Sequence, residues 1–375
     1  MTPLFIYGTL RHAPLWRLIA GEGSERWVEA RLHGHAVDRV DGSPLPMLVV
    51  RDGAIATGQL FYDLSPAQDA RLDTYELPFG YLRKPVTVTL ADGSQVAAEV
   101  YAPPGGQPTS GEPFSLSDWF EADGEVSMIA AQEIASHSPS MGPEDLARQW
   151  PMIRARAHAA YRGRRSGLAA DLRTDPKPGD VEIIEERGVY GDFFKLRDVT
   201  LRHRRFDGAM SGPLHREGFL GTDAALLLAY DPKAGTVLLV EQFRVGLALR
   251  GDANPWSLEP IAGIVDGGET PSQAATREAY EEAGIMVSDL TSMFDFYPSP
   301  GASTDHFYCF ATAADLGAPR SYLGGLEAEA EDLRIHIVTL DHALGLIDSR
   351  EIAVGLLIAM LYWLDRNRSR FPASA

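Results

Sequence analysis

Glu278, Glu281 and Glu282 lie within the stretch Gly263–Ile285, GIVDGGETPSQAATREAYEEAGI. On a helix, residues three and four apart share a face, so these carboxylates crowd and repel one another. Cations compensate a repulsion of that kind, and an all-oxygen ligand set favours Mg²⁺ or Mn²⁺ over zinc. A solvated acidic face accounts for most glutamate-rich helices. It explains neither the flanking glycines nor Glu269. The ends of the helix are also written in the sequence. Thr270 can N-cap it, Gln273 completes a capping box, Pro271 suits the first helical position and Gly284 is the expected terminator.

The stretch resembles the Nudix box, G-x5-E-x7-R-E-U-x-E-E-x-G-U, at every defined position, with the small apolar Ala279 at the first U. The resemblance implies hydrolysis of a nucleoside diphosphate linked to another moiety. It makes Glu278 and Glu282 metal ligands, with Glu281 beside them and the carbonyl of Ala262 as a backbone ligand. Arg277 would orient the carboxylates through Glu269.

Downstream, Pro300 in Tyr297-Pro298-Ser299-Pro300-Gly301 stands fifteen residues past Ile285. That offset resembles the ADP-ribose pyrophosphatase subgroup. So do VEIIEERGVYGDFFKL from Val181, Met210-Ser211, His215-Arg216-Glu217, Glu241-Gln242-Phe243-Arg244 and GLEAEAEDLRIHIV from Gly325. The implied reaction splits ADP-ribose and water into AMP and ribose 5-phosphate. Glu329 would be the general base, and Glu331 would assist it or bind metal. Arg216 and Arg244 would clamp phosphates, since arginine forks fit their oxygens. Glu217 and Pro300 belong to the same substrate site. Phe193 would stack on adenine, from the other subunit of a homodimer. Taken singly, the acidic loop reads as solvated, each arginine as a surface ion-pair residue and Phe193 as strand core. Another ADP-sugar or NADH is the nearest rival substrate. A module that senses ADP-ribose without cleaving it has no need of the box glutamates.

These residues need a scaffold, and 375 residues make two domains the natural expectation. Apolar residues are 45% of the chain, ample for packed cores. With 34 basic and 52 acidic residues the net charge is −18, which argues against a bulk binder of nucleic acid or of membrane surfaces. The single Cys309, in the strand-like HFYCFAT, reads as core and cannot form an intramolecular disulfide. The reducing cytoplasm is therefore the expected compartment. MTPLFIYGTL lacks the features of a signal peptide, and the apolar run from Ala353 to Leu364 is too short to span a bilayer.

Strands are expected at Leu4–Leu10, which turns at Gly8, and at Pro46–Val50, Ala54–Leu60, Arg83–Leu90 and Gln95–Tyr101, with a helix from Pro66 to Tyr75. This pattern suggests a small mixed barrel. Residues 3 to 104 resemble the gamma-glutamylcyclotransferase-like family at Tyr7-Gly8-Thr9-Leu10, at Gly58-Gln59-Leu60-Phe61, and at Leu72-Asp73-Thr74-Tyr75-Glu76 followed by Tyr81 and Arg83. The resemblance implies that backbone N–H groups of Tyr7–Leu10 bind a substrate carboxylate and that Glu76 is the base for ring closure. The bland reading leaves Tyr7 and Gly8 structural and Glu76 a helix end. A turn-rich linker at 103–114 leads to helices at Ser115–Ser136 and Pro143–Arg162. The cluster Arg154, Arg156, Arg162, Arg164 and Arg165 reads as a solvated helix end. RTDPKPGD, 173–180, marks the main boundary.

The expected fold class is α/β (α+β). It comprises a gamma-glutamylcyclotransferase-like barrel at 1–104, a helical extension and linker at 105–180, and an α/β/α Nudix sandwich about a mixed sheet at 181–375. The pairing of the two resembles the tellurite-resistance TrgB-type proteins, an association that supplies no mechanism.

Overall fold

The computed structural model describes residues 2–21, 23, 26–103, 109–137, 142–165, 172–174, 177–191, 194–326 and 331–372. The chain divides into two units, Met1–Pro176 and Lys177–Ala375.

The first unit is built from β1 (Leu4–Ile6), α1 (Ala13–Ala20), β2 (Trp27–Val40), β3 (Pro46–Phe61), α2 (Pro66–Glu76), β4 (Leu82–Leu90), β5 (Gln95–Ala102), β6 (Thr109–Pro113), α3 (Leu116–Trp119), α4 (Glu125–His137) and α5 (Pro143–Arg165). The strand order β3-β1-β5-β4-β2 closes on itself through the β2–β3 pairing, and β6 extends β2. Closure removes the exposed edges of the five strands. Side chains alternate across a strand, and β1 uses both faces. Phe5 fills the barrel with Leu32, Leu60 and Val100. Leu4 and Ile6 face outward onto Leu15, Leu72, Ile134 and Ile153. Helices α4 and α5 thus share one core with the barrel.

The first strand turns at Gly8 as expected, while β2, and β6 within the expected linker, are strands the sequence expectation did not include. The chain leaves β1 at Ile6 and forms a 3-10 turn at Thr9–Arg11. The two strands expected between Pro46 and Leu60 are one, of 16 residues, whose pairing with β2 shifts register between Val50 and Ile55, where Gly53 stands at φ 74°. Arg154 and Arg156 are not solvated. They pair with the buried Asp123 and Glu133, at 2.5 and 2.6 Å. Those partners lie 31 and 23 residues away, beyond the reach of spacing on one helix.

The second unit begins with an antiparallel sheet of β7 (Val181–Tyr190), β8 (Lys195–His203) and β9 (Leu214–Leu220). Then come β10 (Asp223–Asp231), β11 (Thr236–Phe243), α6 (Val245–Arg250), β12 (Trp256–Glu259), β13 (Ile261–Ile264), α7 (Pro271–Ala283), β14 (Thr291–Phe296), β15 (His306–Ala313), β16 (Arg320–Gly324), β17 (Leu333–Thr339), α8 (Leu340–Asp348) and α9 (Gly355–Arg366). The main sheet runs β14-β15-β10-β11-β17-β16, with β12 on β11 and β13 on β10. It is mixed, because β10 and β15 are parallel. Strand β10, DAALLLAYD, is apolar on both faces and buried on both. Leu227 meets Ala275 and Ala279 of α7 on one side. Leu226 and Leu228 meet Leu357 and Leu361 of α9 on the other. This is the expected α/β/α sandwich. Cys309 lies in its core, where burial pushes the thiol up to about 12. Among the described residues no helix is long and apolar enough to cross a membrane.

Candidate functional site

In the first unit, Tyr7, Gly8, Thr9 and Leu10 line a cleft that also takes in Glu76 and Tyr81. A Cβ on Gly8 would come within 2.7 Å of Pro46 Cγ, so the turn is held close to the opposite rim. Glu76 ends α2, a helix opened by a Ser65–Gln68 capping box. Asp73, one turn earlier, accepts hydrogen bonds from Arg83 Nε at 2.8 Å and from the Tyr101 hydroxyl at 2.7 Å. Arg83 Nη2 also donates to Asp69 at 2.7 Å. The motif residues Asp73 and Arg83 therefore fasten the helix end that carries Glu76. Burial pushes the Glu76 carboxyl up to about 7. Burial first, and then the charge of Glu76, raise the Tyr75 and Tyr81 hydroxyls. Tyr81 donates to the Pro46 carbonyl at 2.8 Å. A carboxyl that titrates near neutrality can take up and return a proton.

In the second unit Arg277 is the hub. Its Nε and Nη2 donate to the two oxygens of Glu269 at 2.9 and 3.1 Å. Its Nη1 donates to Glu278 at 2.7 Å and to Glu281 at 2.8 Å, and Nη2 also reaches the Ile264 carbonyl at 3.1 Å. The guanidinium fork holds three carboxylates in fixed relation. Helix α7 has the expected ends, a Thr270–Gln273 capping box and a left-handed Gly284.

Glu278 and Glu282 are 9% and 2% exposed. Burial pushes Glu278 up to about 6, against the pull of Arg277. Burial, then the charge of Glu278, push Glu282 up to about 9. The Ala262 N–H donates to Glu282 at 3.3 Å. A Cβ on Gly263 would lie 1.7 Å from Glu278 Oε1, so the glycine keeps room for that carboxylate. Two buried acids with raised proton affinity, and the charge of Glu331 bearing on both, suit a divalent cation. Among the described residues, no three carboxylate, imidazole or thiolate side chains already surround one point.

The residues flanking the acidic loop are tied down, Gly325 to this helix. Gly325 N–H donates to the Glu282 carbonyl at 3.0 Å, and Glu331 N–H to Leu326 at 3.3 Å. A Cβ on Gly324 would lie 2.2 Å from the Glu282 carbonyl oxygen.

The family model for the NUDIX domain matches residues 221–354, and that for gamma-glutamyl cyclotransferase, AIG2-like, matches residues 4–121. The chain is similar to the ADP-ribose pyrophosphatase of Haemophilus influenzae, 37% identical over 197 residues, 52% of this chain and 90% of that protein. The ADP-ribose pyrophosphatase of Escherichia coli K12 is 36% identical over 186 residues, 50% of this chain and 88% of that protein. A GDP-mannose pyrophosphatase of Escherichia coli SMS-3-5 is 31% identical over 187 residues, 50% of this chain and 96% of that protein. The chain belongs to the Nudix family.

Around the Nudix box, Arg244 donates Nε and Nη2 to Glu259 at 2.9 and 2.6 Å. Glu259, 6% exposed, also accepts the Ser257 hydroxyl at 2.5 Å. The charges of Glu282 and Glu331 bear on Arg244 as well. Arg216 and Glu217 lie exposed on β9, opposite Val199 and Asp198. Pro300 sits in an exposed turn that β9 anchors, through Phe219 N–H to the Ala302 carbonyl at 2.8 Å. No hydrogen bond among the described residues joins Arg216, Glu217 or Pro300 to the box acids. Phe193 and Glu329 lie outside the described residues.

Sequence reading missed Glu259 and, in the first cleft, Ser127 and Trp150. Glu259 carries a usable signal. A lone acid in an apolar strand bound for the core needs a partner.

Proposed function

We propose that the Nudix unit hydrolyses the diphosphate of ADP-ribose to AMP and ribose 5-phosphate. The observation that carries this reading is the match to ADP-ribose pyrophosphatases over about nine-tenths of their length. Divalent cations, Mg²⁺ or Mn²⁺, held by Glu278, Glu282, Glu331 and the Ala262 carbonyl, would neutralise charge on the diphosphate. Arg277 keeps the acids in register, with Glu281 fixed beside them. Arg244, Arg216 and Glu217 bind and orient the substrate, and the Pro300 turn borders it. Glu329 takes the proton from the attacking water. The exposed Val181, Ile183 and Ile184 of β7 support a homodimer in which Phe193 reaches the adenine bound by the partner. The single cysteine supports a cytoplasmic setting.

Product analysis tests the activity. AMP and ribose 5-phosphate should form from ADP-ribose with Mg²⁺ and disappear with chelator. Faster turnover of GDP-mannose or NADH would move the substrate to another nucleoside diphosphate. A fully active monomer at micromolar concentration in sedimentation would remove the dimer.

The geometry of the first cleft favours a second reading for that unit, a gamma-glutamylamine cyclotransferase. The substrate's α-amino nitrogen bonds to the γ-carbonyl carbon and the amide C–N bond breaks. Glu76 moves a proton from the entering to the leaving nitrogen, giving 5-oxoproline and a free amine. Glu76→Gln should abolish this reaction and leave ADP-ribose hydrolysis unchanged. Loss of both in a folded protein would contradict separate sites.

A further inference from the structure

The family match in the first unit stops at residue 121, but the cleft does not. Ser127 of α4 and Trp150 of α5 line it together with Tyr7 and Glu76. Their helices pack onto the barrel through Ala130, Ile134, Leu146 and Ile153.

Trp150 is fixed on two sides. Its ring meets Phe79 edge-on, with centroids 4.6 Å apart at 86°. Arg154, one turn along α5, lies 5.8 Å from the ring centroid. The Arg154 guanidinium is itself held by both oxygens of Asp123, at 3.0 and 2.5 Å. Asp123 is buried and also accepts the Ser127 hydroxyl at 2.5 Å. The far wall is therefore a positioned aromatic surface braced by a buried ion pair. Among the described residues that line the cleft, Glu76 is an acid and none is Lys or Arg.

We propose that Trp150 is a specificity-determining residue of the first unit, forming with Phe79 a subsite for a flat, apolar substituent on the leaving amine of a γ-glutamyl amide. The inference rests on the cyclotransferase reading and deepens it. The Tyr7–Leu10 turn takes the carboxylate end, and the amide bond lies beside Glu76. An aromatic amine then meets the ring faces and edges of Trp150 and Phe79, a favourable contact. A leaving group that carries its own carboxylate finds there only Arg154, already held by both oxygens of Asp123, and its desolvated charge faces Glu76.

The test compares γ-glutamylanilide, γ-glutamylmethylamide and γ-glutamylglycine on the full chain, with Trp150→Ala and Trp150→Phe. The wild type should prefer the anilide and use the glycine compound least. Trp150→Ala should raise KM for the anilide about tenfold, the scale of one lost aromatic contact. The methylamide should stay within about twofold, because it does not reach the wall. Trp150→Phe should recover most of the loss, and it serves if the alanine variant does not fold. Equal losses on anilide and methylamide, or an unchanged anilide KM, would overturn the inference while leaving the cyclotransferase reading intact. Calorimetry separates the remaining cases. Anilide binding that depends on Trp150 without turnover keeps the subsite and sinks the cyclotransferase reading. Neither binding nor turnover overturns both.

Discussion

Gly263 and Glu278 fit one another as a mould and its cast: a Cβ at position 263 would lie 1.7 Å from Glu278 Oε1 and 2.0 Å from its Cδ. The first glycine of the Nudix box is thus the space that the Glu278 carboxylate occupies. Gly263→Ala should displace Glu278 from Arg277 Nη1 while the helix keeps its place, because a side-chain end moves more easily than backbone. Misplacement on the ångström scale costs ~10²-fold in rate. The expected result is a kcat lower by about that factor at nearly unchanged Tm. Activity within about twofold of wild type would contradict this account.

Glu282 titrates at about 9 because of burial and the neighbouring Glu278. Below that pH it carries a proton that a cation must displace. Binding of Mg²⁺ at pH 7 should therefore release roughly one proton, and apparent affinity should rise with pH up to about 9. Calorimetry in buffers of different ionisation heat reads the proton count directly. Glu282→Gln should abolish the release and lower turnover by ~10²-fold or more. The sign for stability follows the same shift. The folded chain holds this proton above the ordinary carboxyl value, 4.5, so stability in chelator should fall as pH rises toward about 9. No proton release at pH 7 would mean that Glu282 is already ionised.

Arg244 is aimed by Glu259, which holds it through Nε and Nη2. Glu259→Gln keeps the shape and removes the second charge-assisted bond. KM for ADP-ribose should rise about tenfold with little change in kcat, the mark of binding lost equally from ground and transition states. A lower Tm with unchanged KM would make Glu259 purely structural.

The acidic loop offers two candidates for the base. Glu329→Gln should lower kcat by ~10²–10⁴-fold at saturating Mg²⁺ and leave KM nearly unchanged. Glu331, whose charge bears on Glu278 and Glu282, should act mainly on the cation. Glu331→Gln should raise the Mg²⁺ concentration needed for half-activity and cost less rate. If its kcat loss at saturating Mg²⁺ is the larger one, the base is Glu331.

Helix α7 is legible in the sequence because each of its signals is local. Thr270 meets Gln273 within one turn, and Gly284 takes the left-handed conformation of the helix cap without the cost a Cβ would bring. The same holds for β10, whose unbroken apolar run announces burial on both faces. Arg277 is a near case, since Glu278 and Glu281 lie on its own helix and Glu269 only eight residues away. Other relationships have no local trace. Strand β2 joins the barrel through β3, while its own sequence mixes charged and apolar residues. Glu259 is 15 residues from Arg244 and meets it only because β12 pairs with β11. Asp123 is 31 residues from Arg154, and Trp150 reaches a cleft opened at Tyr7. Caps and periodicity act over a turn or two of chain, so the residues themselves specify the box helix and its chemistry. Which buried charge finds which partner, and which wall completes a cleft, is set by the packing of segments far apart in the chain, and only the tertiary structure decides that.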